Sequence, residues 1–544
     1  MIHLDNIGAH ILQRLEEYNV RHIFGVAGDY ILNFFKMIED SNIKLICTCD
    51  EQSAGFAADA YARINGIGVV CVTYGVGGFK VVNSTAQAYA ERSPLMVISG
   101  APGVKERSYQ LHHTIKGFDT QFNVFKNITI SSVILDDPKR AIMEFDDALL
   151  SCINYKRPVY VELPRDMVYA PIGDYHRIER RYVSNENALL EALQEIKCIV
   201  DMAKRPVIIA GEEIQRFKLE SKLKELVEKI NIPVASTILS KSVINEYHPL
   251  YLGVYEGAIG HEDVREYVES SDCIIIIGAL LSDITLGIFT AKLDQNKCIN
   301  ITSEGLSIRY HKYENIRLDD FIDGLINTLD RKEYSLVQKC PIEEFVAKKE
   351  KITINRLFKC INSLLKYNHA LVVDAGDALF GSADLIIQKG TIFMSCAYYS
   401  SLGFAIPASL GIQLANPKLR PIVLVGDGSF QMTGMEVSTI AKYNLNPIVI
   451  ILNNKGYTTE RIMLDGPFND LNEWRYELIP NIINSGKGFI VNTEEEFYNA
   501  ILDAEAYDGL SIINVVLDKD DKSEALKRMA EHLAKRVRDT KDIL

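Results

Sequence analysis

The chain has 544 residues, 47% of them hydrophobic, and a formal net charge of −13. That length predicts about three or four domains, and the composition is that of an ordinary globular protein. The charge argues against a general nucleic-acid binder, which needs a basic face, and no apolar run reaches the roughly 18 residues of a membrane span.

The start, Met1-Ile2-His3-Leu4-Asp5-Asn6, lacks the basic and then apolar order of a signal peptide. Ten cysteines are scattered, and Cys47 and Cys49 form the one close pair. They read as reduced, mostly buried thiols, so the expected location is cytoplasmic.

In chain order, apolar residues at helical spacing run from Ile7 to Tyr18, and His22–Val26 reads as a short strand ending at Gly28-Asp29. An Ala-rich helix is predicted over Asp50–Ile64 and a strand over Val69–Thr73. The turn Gly75-Val76-Gly77-Gly78 then leads into a helix to about Glu91. Leu95–Ser99 is the next strand, and Arg157–Pro164 reads as the last of the first unit. This alternation predicts a parallel α/β sheet.

Residues 170–190 carry mixed charge and read as a linker. A second α/β unit has predicted strands at Pro206–Ala210, Pro233–Ser236, Cys273–Ile277 and Cys298–Ile301. A charged stretch over 330–351 precedes a third, with strands at Ala370–Val373, Ile422–Val425, Ile448–Leu452 and Ser511–Val516. An amphipathic helix is expected over Ser523–Arg538.

Two segments of the third unit carry the most chemistry: Gly426-Asp427-Gly428-Ser429 and Asn453-Asn454-Lys455-Gly456, each at the end of an apolar strand. Asp427 and Asn454 would lie at the C-terminal edge of the sheet, where open α/β sheets bind ligands. Their oxygens suit Mg²⁺ or Ca²⁺ rather than zinc, and Gly428 and Gly456 permit close approach of a phosphate. The pattern reads as a metal-bridged diphosphate site; two ordinary strand-to-helix turns are the plain alternative.

Other candidates have plain readings too. Glu51 could be a first-turn glutamate favoured by the helix dipole, and Asp29 a turn residue. Glu460 could be a solvated partner of Arg461 or Lys455. His112-His113 lack partners at metal-ligand spacing but could transfer protons if they face a cleft.

The whole chain resembles the thiamin diphosphate-dependent 2-oxo acid decarboxylases, those of pyruvate, indolepyruvate and phenylpyruvate. Gly25-Val26-Ala27-Gly28-Asp29 looks like the N-terminal turn, and Asp50-Glu51 with the following helix looks like the cofactor-activating glutamate segment. Leu111-His112-His113-Thr114 looks like the double-histidine segment, and Asn453–Glu460 like the metal loop with a second catalytic acid. Segments Phe118–Phe125, Gly426–Gly434 and Phe468–Arg475 are closest in look to phenylpyruvate and indolepyruvate decarboxylases. Asp377 departs from the yeast-type threonine.

The resemblance implies three α/β domains with doubly wound parallel sheets: a pyrimidine-binding domain over 1–175, a middle domain over 190–330 and a diphosphate- and Mg²⁺-binding domain over 350–544. It implies Asp427, Asn454 and the Gly456 carbonyl as metal ligands. It also puts Gly426, Gly428 and Ser429 along the diphosphate, with Glu51 on the pyrimidine ring nitrogen. The Ser400 carbonyl would take the cofactor amino group, and Leu402 would press its two rings into a V. Asp29, His112, His113 and Glu460 would handle later proton transfers.

The implied assembly is a homodimer or homotetramer with active sites between subunits and a small 2-oxo acid as substrate. No nucleic acid or membrane partner is expected. An acetolactate synthase-like carboligase is the nearest alternative, disfavoured by the histidine pair. A non-catalytic cofactor-binding subunit is the other.

Overall fold

The computed structural model describes residues 6–172, 182–333, 342, 344–388 and 390–530. These form two compact units. The first comprises residues up to 181 together with 406–419 and 433–445. The second holds the rest.

The first unit is built on six strands: β1 His22–Gly25, β2 Lys44–Cys47, β3 Gly68–Val72, β4 Leu95–Ala101, β5 Ser131–Ile134 and β6 Val159–Pro164. Their order is β2-β1-β3-β4-β6-β5, all parallel. Central strands are wholly buried, as in β3 and β4, which is why they read as unbroken apolar runs. The helix Glu51–Asn65 begins where the Asp50 side chain accepts the Gln52 amide and ends at Gly66 with φ 105°, a left-handed stop that suits glycine. At the sheet edge, the Tyr443 hydroxyl accepts from the Cys47 amide at 3.2 Å and donates to the Leu45 carbonyl.

The second unit carries two sheets. The first has β7 Pro206–Ala210, β8 Val234–Ser236, β9 Tyr251–Val254, β10 Cys273–Ile277, β11 Cys298–Thr302, β12 Gly305–Ile308 and β13 His311–Tyr313. Its order is β13-β12-β11-β10-β7-β8-β9. Alternate residues enter separate apolar clusters, Ile275 and Ile277 in one and Ile274 and Ile276 in the other. Both faces are therefore covered, as the doubly wound reading requires.

This sheet departs from the all-parallel expectation at one end, where β11, β12 and β13 pair antiparallel. The cause is local. Thr302 pairs with Gly305 across a two-residue connection, too short for a parallel crossover.

The second sheet has β14 His369–Val373, β15 Ile392–Ser395, β16 Arg420–Gly426, β17 Ile448–Asn453, β18 Lys487–Val491 and β19 Ser511–Val516. Its order is β15-β14-β16-β17-β19-β18, all parallel. Leu371, Ile422, Ile450 and Ile513 join its core.

The C-terminal helix is described over residues 524–530, and the rest of the expected span to 538 lies outside the described residues, as does part of each charged linker. Among the described residues no helix is long and apolar enough to cross a membrane.

Candidate active site

Three adjacent parallel strands, β14, β16 and β17, end in polar residues: Asp374, Asp427 and Asn453-Asn454. Asp427 opens the helix Asp427–Thr433 and is 2% exposed. It accepts the Gly428 amide at 2.8 Å and the Gly456 amide at 3.2 Å. Burial nevertheless pushes it up to about 6, against the pull of those amides. The Asn454 side chain donates to Thr458 Oγ1 at 2.6 Å, while its carbonyl Oδ1 is buried without a partner. Arg461 braces the loop by donating to the Asn454 and Lys455 carbonyls.

Asp427, Asn454, Gly426, Gly428, Ser429 and Gly456 line one cavity of about 340 Å³, with Ser400, Leu402 and Glu460. Glu460 sits on the helix Thr458–Met463 and is exposed. Its sequence neighbours do not take it as a partner: Arg461 bonds Asp470 and Lys455 bonds Glu473. Leu379, Phe380, Met463 and Met529 give the cavity an apolar side.

Asp374 organises this edge. It is fully buried, and its carboxylate accepts from the Ala375, Gly403 and Ala405 amides and from Ser429. It thereby ties the segment bearing Ser400 and Leu402 to the helix that follows β16. Ser400 holds φ 56°, a left-handed conformation uncommon outside glycine and asparagine. Asp377 lines the same cavity and takes the Ser523 amide at 2.9 Å and the Ser523 hydroxyl, which fixes the start of the C-terminal helix.

In the first unit, Asp29, His112 and His113 come together. His112 Nε2 lies 2.8 Å from Asp29 Oδ2, and ligating atoms of all three residues fall within 4.8 Å of one another. The His112 ring stacks on Tyr30 at 4.9 Å. His113 is held at φ 66°, packed so closely on Gly75 that a Cβ there would meet the His113 carbonyl at 2.6 Å. Glu51 is the first residue of its helix, with a side chain 12% exposed and Oε2 3.0 Å from Lys80 Nζ.

The comparisons with known proteins bear on the whole chain. Residues 5–124 match the thiamine pyrophosphate enzyme N-terminal TPP binding domain, 193–319 the central domain and 374–515 the C-terminal TPP binding domain. The indole-3-pyruvate decarboxylase of Azospirillum brasilense is 34% identical over 96% of this chain and 97% of its own length. The chain belongs to the thiamin diphosphate-dependent 2-oxo acid decarboxylases. Within that family, pyruvate decarboxylase of Aspergillus fumigatus is 31% identical over 98% of this chain and 97% of its own. Pyruvate decarboxylase 1 of Arabidopsis thaliana is 30% identical over 96% and 90%.

The residues at the strand ends fit the family's cofactor. A buried, unpartnered Asn454 carbonyl beside a buried Asp427 is a donor pair short of a cation. Nothing lies within 4 Å of a Cβ built on Gly426, which leaves room for a bulky anion, whereas one on Gly428 would meet Tyr457 at 2.4 Å. Asp374, Lys80, Tyr30 and the Asp377–Ser523 bond were not anticipated as parts of these sites. Asp374 had a signal, a carboxylate directly after a buried strand; the others are joined only by the fold.

Proposed function

We propose that the chain converts a 2-oxo acid with a large apolar, aromatic side chain, phenylpyruvate or indolepyruvate, to an aldehyde and CO₂ with Mg²⁺ and thiamin diphosphate. The observation that carries decarboxylation is the Asp29–His112–His113 cluster, a set of proton carriers in mutual contact. The aromatic preference rests on the apolar side of the cavity, Leu379, Phe380, Met463 and Met529, and on the indole-3-pyruvate decarboxylase relative.

Asp427, the Asn454 side-chain carbonyl and the Gly456 carbonyl would hold Mg²⁺, an oxygen set that suits a hard cation. Gly426, Gly428 and Ser429 would lie along the diphosphate. Thiamin diphosphate, when bound, supplies the carbon nucleophile and the electron sink that loss of CO₂ requires. Glu51 would hold a proton against the pyrimidine ring nitrogen, the Ser400 carbonyl would orient the amino group, and Leu402 would press the rings together. Asp29, His112, His113 and Glu460 would then pass protons to the developing product and release it.

In this reading the 1–175 domain takes the pyrimidine and the 350–544 domain the diphosphate, each from a different copy of the chain. A homodimer is the minimum, and a homotetramer is its ordinary symmetric extension. The described cysteines are all free thiols, which fits a cytoplasmic enzyme.

The test is a CO₂-release screen with phenylpyruvate, indolepyruvate, branched-chain 2-oxo acids and pyruvate, with product analysis. Aromatic acids should lead and give aldehydes. Preference for pyruvate would overturn the substrate, and acyloin as the main product would favour the carboligase reading.

A further inference from the structure

A buried polar chain stands behind the glycine-rich turn of the first unit. The Gln121 carboxamide is 1% exposed. Its Oε1 accepts the Gly75 amide at 2.7 Å, and its Nε2 donates to Ser99 Oγ at 2.8 Å and to the Tyr160 hydroxyl at 2.7 Å. Tyr160 donates onward to Glu162 at 2.8 Å and is stacked on Phe125 at 4.3 Å. Ser99 donates to the Gly100 carbonyl. Each carboxamide atom thus has defined partners, so the group can sit only one way round. A Cβ on Gly78 would strike Gln121 Oε1 at 2.2 Å, so the carboxamide lies directly against the turn.

That turn touches both sets of chemical residues in this unit. Gly75, at φ 67°, packs on the backbone of His113. The helix Val76–Lys80 begins immediately after it, with the Phe79 amide bonded to the Gly75 carbonyl. Lys80, at the end of that helix, bonds Glu51, and a Cβ on Gly77 would lie 3.4 Å from Glu51 Oε1. Moving Gly75 would therefore move the His113 backbone and the surroundings of Glu51 together.

We propose that Gln121 is a positioning residue for the reaction: through its bond to the Gly75 amide it sets the glycine turn that holds His113 on one side and the Glu51–Lys80 pair on the other. This rests on the roles of His113 and Glu51 given above. It adds that one buried amide, remote from the reacting atoms, sets both. Small displacements of proton-transfer groups are costly, so the effect belongs on turnover rather than on substrate affinity.

The test compares full-length wild type with Gln121→Met, which keeps the length and loses every bond, and with Tyr160→Phe, which weakens the anchor but leaves Gly75 bonded. Gln121→Met should lower kcat by about 10–100-fold with KM nearly unchanged. It should slow C2-proton exchange of bound thiamin diphosphate and shift the His113 ring signal in NMR spectra of the cofactor-free protein. Tyr160→Phe should act in the same directions by about threefold, the scale of one neutral hydrogen bond. A Gln121→Met enzyme that melts earlier but keeps wild-type kcat and an unmoved His113 signal would make Gln121 a packing residue and overturn the proposal. If that variant does not fold, Tyr160→Phe decides: unchanged kcat and an unmoved His113 signal would overturn it equally. Should wild type release CO₂ from no 2-oxo acid, the functional reading fails, while the His113 signal still decides the positioning role.

Discussion

The Asp29–His112–His113 cluster and the carboxylate row at the end of the third sheet solve opposite electrostatic problems. The cluster's Asp29 and His112 side chains are 43% and 58% exposed. Both remain in contact with water, and Asp29, His112 and Tyr30 satisfy one another. Such half-exposed groups in mutual contact suit the proton transfers proposed for them. Asp374, Asp377 and Asp427 are buried, and burial pushes each up to about 6. Backbone amides bond all three of them, yet Asn454 Oδ1, of a residue lining the same cavity as Asp377 and Asp427, stays unpartnered. A buried row of that kind is costly unless a cation compensates it. In the proposed function one region moves protons and the other holds a cation, and variants can separate the two.

Glu51→Gln gives the largest expected effect. An amide cannot share a proton with the pyrimidine nitrogen, so C2-proton exchange and turnover should fall by about 10²–10⁴-fold with cofactor binding retained. Exchange at the wild-type rate would break the assignment of Glu51 to the proton-moving side. Asp427→Ala should act on the other side, at binding. Loss of the one anionic ligand proposed for the metal should weaken thiamin diphosphate by roughly 100-fold, about the worth of a charged hydrogen-bonded contact, in calorimetry with Mg²⁺ present. Undiminished affinity would remove Asp427 from the charge-holding row.

A smaller effect sharpens the contrast through pH. The folded chain holds the Asp377 proton more tightly than the unfolded chain, about 6 against the usual 3.8. Between those values the folded state binds more protons, so this group's contribution to stability is present at low pH and is lost as pH rises through the window. The slope is at most about 1.4 kcal/mol per pH unit. Asp377→Asn removes the titration. Its melting temperature relative to wild type should therefore improve as pH goes from about 4 to about 6. A difference that stays constant over that range would show that Asp377 carries no burial cost.

What could be read in the sequence follows from the same distinction between buried and half-buried positions. Central strands such as Cys273–Ile277 and Ile448–Asn453 are buried throughout, so their apolar runs announce them. The strands at the edges do not. Lys44–Cys47 has a single buried residue among only four positions, and Lys487–Val491 is largely exposed, so neither run resembles a core strand. The antiparallel pairing of β12 and β13 was hidden for the same reason.

Asp427 and Asn454 were legible because each directly follows a central strand, and strand ends are where such sheets gather ligands. The supports of the sites were not. Asp374 acts on Gly403 and Ala405, and Asp377 acts on Ser523, far along the chain. Lys80 reaches Glu51 only because a glycine turn folds it back. Such contacts have no periodicity or spacing to betray them.

The division between making the nucleophile and moving later protons is tested most directly by His113→Ala. C2-proton exchange of bound thiamin diphosphate and aldehyde release should be measured on the same enzyme. Exchange should stay near wild type, because in the proposed function Glu51 and the cofactor's own amino group suffice for it, while aldehyde release should fall by about 100-fold. If both rates stay at wild type, or exchange falls as far as release, the histidine cluster is not a separate proton-moving device and the account is wrong.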